Sequence, residues 1–379
     1  YFRIDRALGK RTYIQPKHSL GEAPYRFNWQ TPIHLSKHNQ DILYLGGNKL
    51  HRSLNQGDTW ETISGDLSSG GKKGNVAYGT LTTISESPFQ FGLLYAGSDD
   101  GLVHISKNGG GSWSKISNSF PKDLWVSRIV ASSHKKERVY VSLNGYRFDD
   151  FTPYIFMSDD FGQTWKNIGN AIPIASVNVI KEDPLNKNML YVGTDNGLYV
   201  SFNKGNSWEV FSRNLPNVAV HDLVIQPTAK HLIIGTHGRS LYKANIAPLQ
   251  LLTDDLAEKS AHVFAINSIR KSNNWGSSRG NWSPPNIPEI NISFYSNETK
   301  KVIVDVFSND IKVNSISVDA DKGFNEVLYD VSFSKKGRKA FVSKYKESAL
   351  KNAKNGKYYL PKGVYTVKLE SATGRFEIY

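Results

Sequence analysis

The sequence predicts an all-β chain: a β-propeller occupying the first two thirds, followed by a smaller β-sandwich. Three observations carry that expectation. The pattern Ser-x-[Asp/Asn]-x-Gly-x-[Ser/Thr]-Trp occurs four times, at 53–60, 106–113, 158–165 and 201–208. Around each copy, short apolar runs alternate with Gly/Asp/Asn turns, and the copies recur at forty-odd to fifty-odd residues, as in one four-stranded propeller blade per repeat. The composition agrees, with 19 Tyr, 18 Phe, 8 Trp and 31 Gly in 379 residues, because aromatic side chains suit a pleated, half-buried surface.

In chain order, "YFRIDRALGKRTYIQPK" (1–17) reads as strand, glycine turn and strand, like the last two strands of a blade. Five units follow, at 31–64, 79–117, 127–169, 176–212 and 219–246. Each begins with a strand ending in a polar turn. A Leu-Tyr-Val-Gly-type strand, a third strand bearing a hydroxyl residue, and Trp-x-x-Ile (Trp-x-x-Phe in the fourth unit) come next. The fifth unit stops after its third strand. Residues 1–248 are thus expected to form about five and a half blades. Unpaired edges invite pairing, so the ring is expected to be completed by further N-terminal sequence or by a second chain.

The repeated pattern has the chemistry of a pinned hairpin between the third and fourth strands. Asn55, Asn108, Asp160 and Asn203 can accept backbone N–H bonds across the turn. The glycines at 57, 110, 162 and 205 supply positive φ, and Trp60, Trp113, Trp165 and Trp208 are large apolar anchors expected to wedge the hairpin onto its sheet.

These residues resemble the Asp-box, or BNR, repeat shared by sialidases, xyloglucan-specific glucanases, the sortilin-type receptor domain and a photosystem II assembly factor. The resemblance covers roughly residues 18–246. Three of the four boxes carry Asn where that pattern prefers Asp. Within the superfamily, "PYRFNWQTPIHLSKHNQDILYLGGNKLHRSLNQGDTW" and "GTHGRSLY" resemble large secreted bacterial proteins described as sortilin-like or glycosyl-hydrolase-like. The resemblance implies an extracytoplasmic location and a propeller face that binds a protein or glycan. The alternative it implies is a polysaccharide hydrolase of the xyloglucanase type, of which this chain would be half.

Beyond the repeats the text changes. Residues 249–288 read as a short helix, with Thr253 as its N-cap, and a Gly/Ser/Asn/Pro-rich linker or ordered loop. Residues 289–379 alternate like the strands of an Ig-like sandwich, interrupted by a lysine-rich helix at 343–357, "SKYKESALKNAKNGK". The ending "LPKGVYTVKLESATG" resembles the sorting domain of type IX secretion cargo.

Composition excludes several functions. Without cysteine there is no disulfide, thiol catalysis or Cys-bound zinc. No apolar run approaches the roughly 20 residues of a membrane span. The formal net charge of +13 permits acidic partners, but the lysines are scattered and no nucleic-acid motif appears. No His pair or acidic cluster has metal-ligand spacing, and no cofactor is expected.

The candidate site residues lie on loops gathered at one end of the blades. Tyr146, Phe148, Phe151 and Tyr154, with Trp125 and Tyr78, could stack on sugar rings or clasp a peptide; packing of a long loop on its own blade explains them equally. Arg147 and Arg239 face the same way and can contribute binding without chemistry. His237 and Arg239 could hold an anion or could belong to a tight turn. Asp99 and Asp150 are weak catalytic candidates. Glycoside hydrolysis needs two carboxylates roughly 5–10 Å apart, and both sit in turns where capping is the commoner role. A sialidase would need a third arginine on this face, which the sequence lacks.

Overall fold

A computed structural model of the chain describes all residues except 73–77, 212–214, 253–255, 257–258, 279, 281 and 346–349. Thr253, expected as a helix cap, lies outside the described residues. Two compact units result, Tyr1–Ile246 and Ala247–Tyr379.

The first unit is a β-propeller. Four antiparallel sheets have four strands each in sequence order, a fifth has three, and a two-stranded hairpin, Phe2–Ile4 with Arg11–Tyr13, precedes them. The innermost strands are Ile33–Leu35, Leu81–Glu86, Trp125–Ala131, Val177–Glu182 and Val220–Gln226, each packing beside the next. Close approach is possible where a second strand carries glycine at or next to its end, as at Gly46, Gly97 and Gly193. A Cβ on Gly97 would lie 2.5 Å from Val126, and one on Gly193 would lie 2.6 Å from Val220.

Between sheets sit separate cores. Tyr44, Leu50 and Ile63 of the first sheet pack on Leu81, Ile84 and Ala96 of the second. The third and fourth sheets meet in the same way through Tyr140, Ile155, Ile180 and Val192. Buried carboxylates clasp these pairs. Glu86 accepts from Ser36 Oγ at 2.6 Å and Tyr44 Oη at 2.8 Å. Glu182 accepts from Ser132 Oγ at 2.8 Å and Tyr140 Oη at 3.1 Å. His38 and His134 reinforce them through the carbonyls of Ser87 and Asp183.

The four patterned hairpins are equally regular. The box oxygen accepts the backbone N–H four residues on, at 2.9 Å in every copy. Trp113, Trp165 and Trp208 pack on cores that include residues of their own sheets, and every box tryptophan also reaches the preceding unit. Each indole N–H donates to an isoleucine carbonyl of the preceding unit: Trp60 to Ile14, Trp113 to Ile63, Trp165 to Ile116 and Trp208 to Ile168. Ile14 thereby gives the N-terminal hairpin the place of a blade's outer strands.

Among the described residues, two faces of this unit are uncovered. Ile33 and Leu35 occupy ladder positions that are buried in the other innermost strands, yet are 46% and 63% exposed. On the fifth sheet Leu241 is 72% exposed, where its counterparts Leu50, Val103 and Leu198 are fully buried.

In the second unit a three-stranded sheet (Ala261–Val263, Ile290–Ser296, Gly323–Tyr329) and a four-stranded sheet (Ile311–Ala320, Lys300–Ser308, Gly363–Leu369, Ala372–Ile378) enclose one core. The segment 249–288, expected as helix and linker, starts with a single helical turn at Ala247–Gln250 and then supplies the strand Ala261–Val263. It also buries Trp275, 5.8 Å from Tyr359. A second correction concerns the lysine-rich helix, which runs Lys335–Tyr345 rather than 343–357. Ser334 starts it by accepting the Gly337 N–H at 3.0 Å, the N-cap role that serine favours. Residues 350–357 are irregular and end in a turn at Gly356, which has φ +81°.

Candidate functional site

Four innermost strands share one irregularity. The antiparallel register slips between Leu81 and Thr83, Val126 and Arg128, Val177 and Val179, and Val220 and Asp222. The extra residue of a β-bulge is left unpaired and its side chain re-aimed. Here the extra residues are Thr82, Ser127, Asn178 and His221, and all four line a single cavity of about 750 Å³ on the propeller axis. The sequence signal was a polar residue after the first β-branched or Leu position of each strand: "LTT", "VSR", "VNV", "VHD".

Arg128 crosses this space. Its guanidinium donates to Asp222 at 2.7 Å, linking the third sheet to the fifth past the fourth. Beside it Lys181 is depressed below the ordinary lysine range, first by burial and then by the charges of Arg128 and Lys37, with Asp222 opposing. His34 is lowered to about 4, mainly by burial. At the mouth, Asn144 donates to Asn178 at 2.9 Å and Asn178 donates to Asp195 at 2.8 Å. The rings of His221 and His237 lie 5.0 Å apart. Burial, and then the His237 charge, lower His221 despite Asp195.

Of the residues expected from the sequence, Trp125, Tyr146, Arg147 and His237 line the cavity. Arg147 stacks over Trp125 with its guanidinium carbon 4.2 Å from the ring centre. Tyr146 is 62% exposed and meets Phe151 edge-on at 6.3 Å, so Phe151 stands behind it and does not line the wall. Arg239 is exposed outside the cavity. Tyr78 is also outside, where its hydroxyl accepts from Lys72 at 2.9 Å.

Asp99 and Asp150 do not reach the cavity either. Asp99 is buried and accepts from Gly79 N, Thr80 N and Thr80 Oγ1 at 2.9, 3.0 and 2.6 Å. Burial outweighs those bonds and raises its pKa. Asp99 thus accepts backbone N–H groups, the role a turn carboxylate commonly has, but from the loop at 79–80 folded over it and while buried. Asp150 accepts from Thr152 N at 3.0 Å and Tyr154 Oη at 2.9 Å. Burial pushes Asp150 up, but these bonds prevail and hold it below the ordinary carboxylate value. The residues that sequence reasoning missed are Arg128, Asn178, His221, Asp222 and His34, which sit on strands and not on loops.

Among the described residues no group of His, Asp and Glu is placed to hold a metal ion, and no helix is long and apolar enough to cross a membrane.

No family model matches the chain, and no curated protein does. Solved structures it is similar to include an ancestral GH74 enzyme, at 13% identity and TM-score 0.47, covering 82% of this chain and 40% of that one. The GH74 xyloglucanase from Xanthomonas campestris is similar at 13% identity and TM-score 0.46, covering 77% of this chain and 51% of that one. YCF48 bound to D1 peptide is similar at 16% identity and TM-score 0.40, covering 61% of this chain and 72% of that one. The chain thus spans about half or less of the two GH74 structures.

Proposed function

We propose that this chain is an Asp-box-type propeller that works as a binding module, taking a segment of glycan or protein at the mouth of its axial cavity. The observation that carries this reading is the make-up of the wall. Trp125 and Tyr146 offer aromatic surface, and Arg147, Asn144 and Asn178 offer polar groups fixed by neighbours. A concave site with aromatic walls and a few oriented polar groups is suited to holding a ligand. Among the described residues the cavity wall includes one carboxylate, Asp195, which is held by Asn178. Hydrolysis of a glycoside by acid–base chemistry needs two, one of them kept protonated.

The hydrolytic reading would have to use Asp195 with Asp222, and Asp222 is tied to Arg128. The resemblance to secreted sortilin-like proteins supports an extracytoplasmic location, and the two packed antiparallel sheets of the second unit support its reading as an Ig-like sandwich.

The test is a panel of β-glucan, xyloglucan, sialosides and peptides, measured for binding and for release of reducing ends. Binding of at least one class should weaken by roughly tenfold in Tyr146→Ala, about 1.4 kcal/mol, with no product released. Product release that disappears in Asp195→Asn would replace the binding reading with the hydrolytic one.

A further inference from the structure

We infer that the cavity takes an acidic carbohydrate, a glycan segment whose carboxylate or sulfate oxygens are held by Arg147 and Arg128. This deepens the binding reading above and rests on it.

The argument is a count of donors against acceptors around one space. Among the described residues, no carboxylate or carbonyl accepts from Arg147, which is held over Trp125 at the cavity mouth. The Arg128 Nε–H and the His34 Nε2 are buried, lack a hydrogen-bond partner among the described residues, and belong to side chains of the same wall. The nearby carboxylates are already engaged. Asp222 holds the other end of Arg128, Asp195 accepts from Asn178, and Glu86 accepts from Ser36, Tyr44 and the Gly92 N–H. A surplus of guanidinium donors fits a ligand that brings oxyanions, because Arg meets carboxylate or sulfate oxygens with paired, charge-assisted hydrogen bonds.

The rest of the wall favours sugar over peptide. Thr82, Ser127 and Asn178 stand at equivalent bulges of successive sheets and are held in place, Thr82 Oγ1 donating to Val126 O at 2.7 Å, Ser127 Oγ bonded to Ser142 Oγ at 2.8 Å and Asn178 bridging Asn144 and Asp195, so the row presents fixed oxygens whose remaining lone pairs suit the hydroxyls of a sugar. Tyr146 leaves an open aromatic face beside them. Lys181 and Lys37 add positive potential near Arg128, and the repulsion among these charges would be relieved by an anion.

The experiment is calorimetric titration of the 379-residue chain with four short probes: trigalacturonate, a sulfated carrageenan oligosaccharide, a neutral xyloglucan oligosaccharide and pentaglutamate. Short probes limit the non-specific attraction that a basic protein exerts on polyanions. At least one acidic sugar should bind at least tenfold tighter than xyloglucan, and the carboxylate and sulfate arms identify the group preferred. Arg147→Ala and Arg128→Gln should each weaken that binding roughly tenfold, and Lys339→Gln, in the second unit, should leave it unchanged. Arg147 packs only on the surface, so its variant decides the matter if Arg128→Gln lowers the melting temperature.

Equal binding of xyloglucan, pentaglutamate matching the acidic sugars, no binding of any sugar, or indifference to Arg147→Ala would each overturn the assignment. The two readings separate cleanly. If xyloglucan or the peptide binds and Tyr146→Ala weakens it while Arg147→Ala does not, the acidic assignment fails and the binding module stands. If no probe responds to Tyr146→Ala, both fall.

Discussion

The indole N–H of Trp113 donates to the carbonyl of Ile63 at 2.9 Å, across the boundary between two sheets. The same bond ties Trp60 to Ile14, Trp165 to Ile116 and Trp208 to Ile168, so the repeated motif is a coupling between units. Trp113→Ala removes the bond and a half-buried ring packed on the first inter-sheet core. A loss of about 2–4 kcal/mol is expected, toward the lower part of the range for large-to-small changes because the ring is not fully buried. Chemical denaturation measures it, and an unchanged midpoint would show that the coupling carries no stability.

Gly110 should tolerate no side chain. It has φ +98°, and a Cβ would lie 2.6 Å from both the Cβ and the carbonyl oxygen of Ile63. Gly110→Ala therefore combines left-handed strain with a backbone clash at the Trp113 contact, and should cost more than about 1 kcal/mol. Gly197→Ala is the matched control, with φ +125° and open space around its Cβ. If both variants lose equally, the contact with Ile63 is irrelevant.

Asp160 gives one hairpin a dependence on pH that the other three lack. Hydrogen bonds from Thr164, side chain and then backbone, hold its carboxyl at about 2, below the ordinary 3.8. A depressed carboxylate stabilises the fold above its unfolded pKa, and that contribution is lost as pH falls from about 4 toward 2. Asn55, Asn108 and Asn203 make the same backbone bond without titrating. Asp160→Asn should leave stability at pH 7 within about 1 kcal/mol and flatten the acid limb of a melting-temperature profile. An acid limb identical to wild type would place the titrating group elsewhere.

Two buried tyrosines at equivalent positions should respond differently. Tyr140 donates to Glu182, whereas the hydroxyl of Tyr95 is buried without a partner among the described residues. Tyr140→Phe should cost about 1–2 kcal/mol, since it weakens the support of a buried carboxylate. Tyr95→Phe should be neutral or stabilising. Thermal melts of the two single variants decide this, and equal losses would mean that packing and not the hydroxyl is what matters.

The uncovered faces predict self-association. Leu35 at 63% exposure and Leu241 at 72% sit on sheet faces whose counterparts are buried, and exposed apolar patches of this kind promote contact. Light scattering should show mass rising with concentration. Leu35→Lys with Leu241→Lys should suppress the rise without lowering the melting temperature. A wild-type chain that stays monodisperse at high concentration would refute the idea.

Sequence alone determined the repeat, and through it the propeller. Periodic text such as Ser-x-Asn-x-Gly-x-Ser-Trp encodes local turn chemistry, and local chemistry is carried by neighbours in the chain. It also brought Trp125, Tyr146, Arg147 and His237 forward, because residues on loops at one end of repeated sheets converge wherever the sheets are arranged about an axis. What it could not decide was which side chains meet across that axis. Arg128 and Asp222 are 94 residues apart and are joined by a 2.7 Å bond. Asp99 reads as a capping residue of its own turn, but the N–H groups it accepts belong to the loop at 79–80, some twenty residues earlier in the chain. The bond from Trp113 to Ile63 of the preceding sheet likewise depended on the angle between successive sheets. Contacts of this kind are set by packing between elements, and side-chain pattern within one strand carries no record of the neighbour it will face.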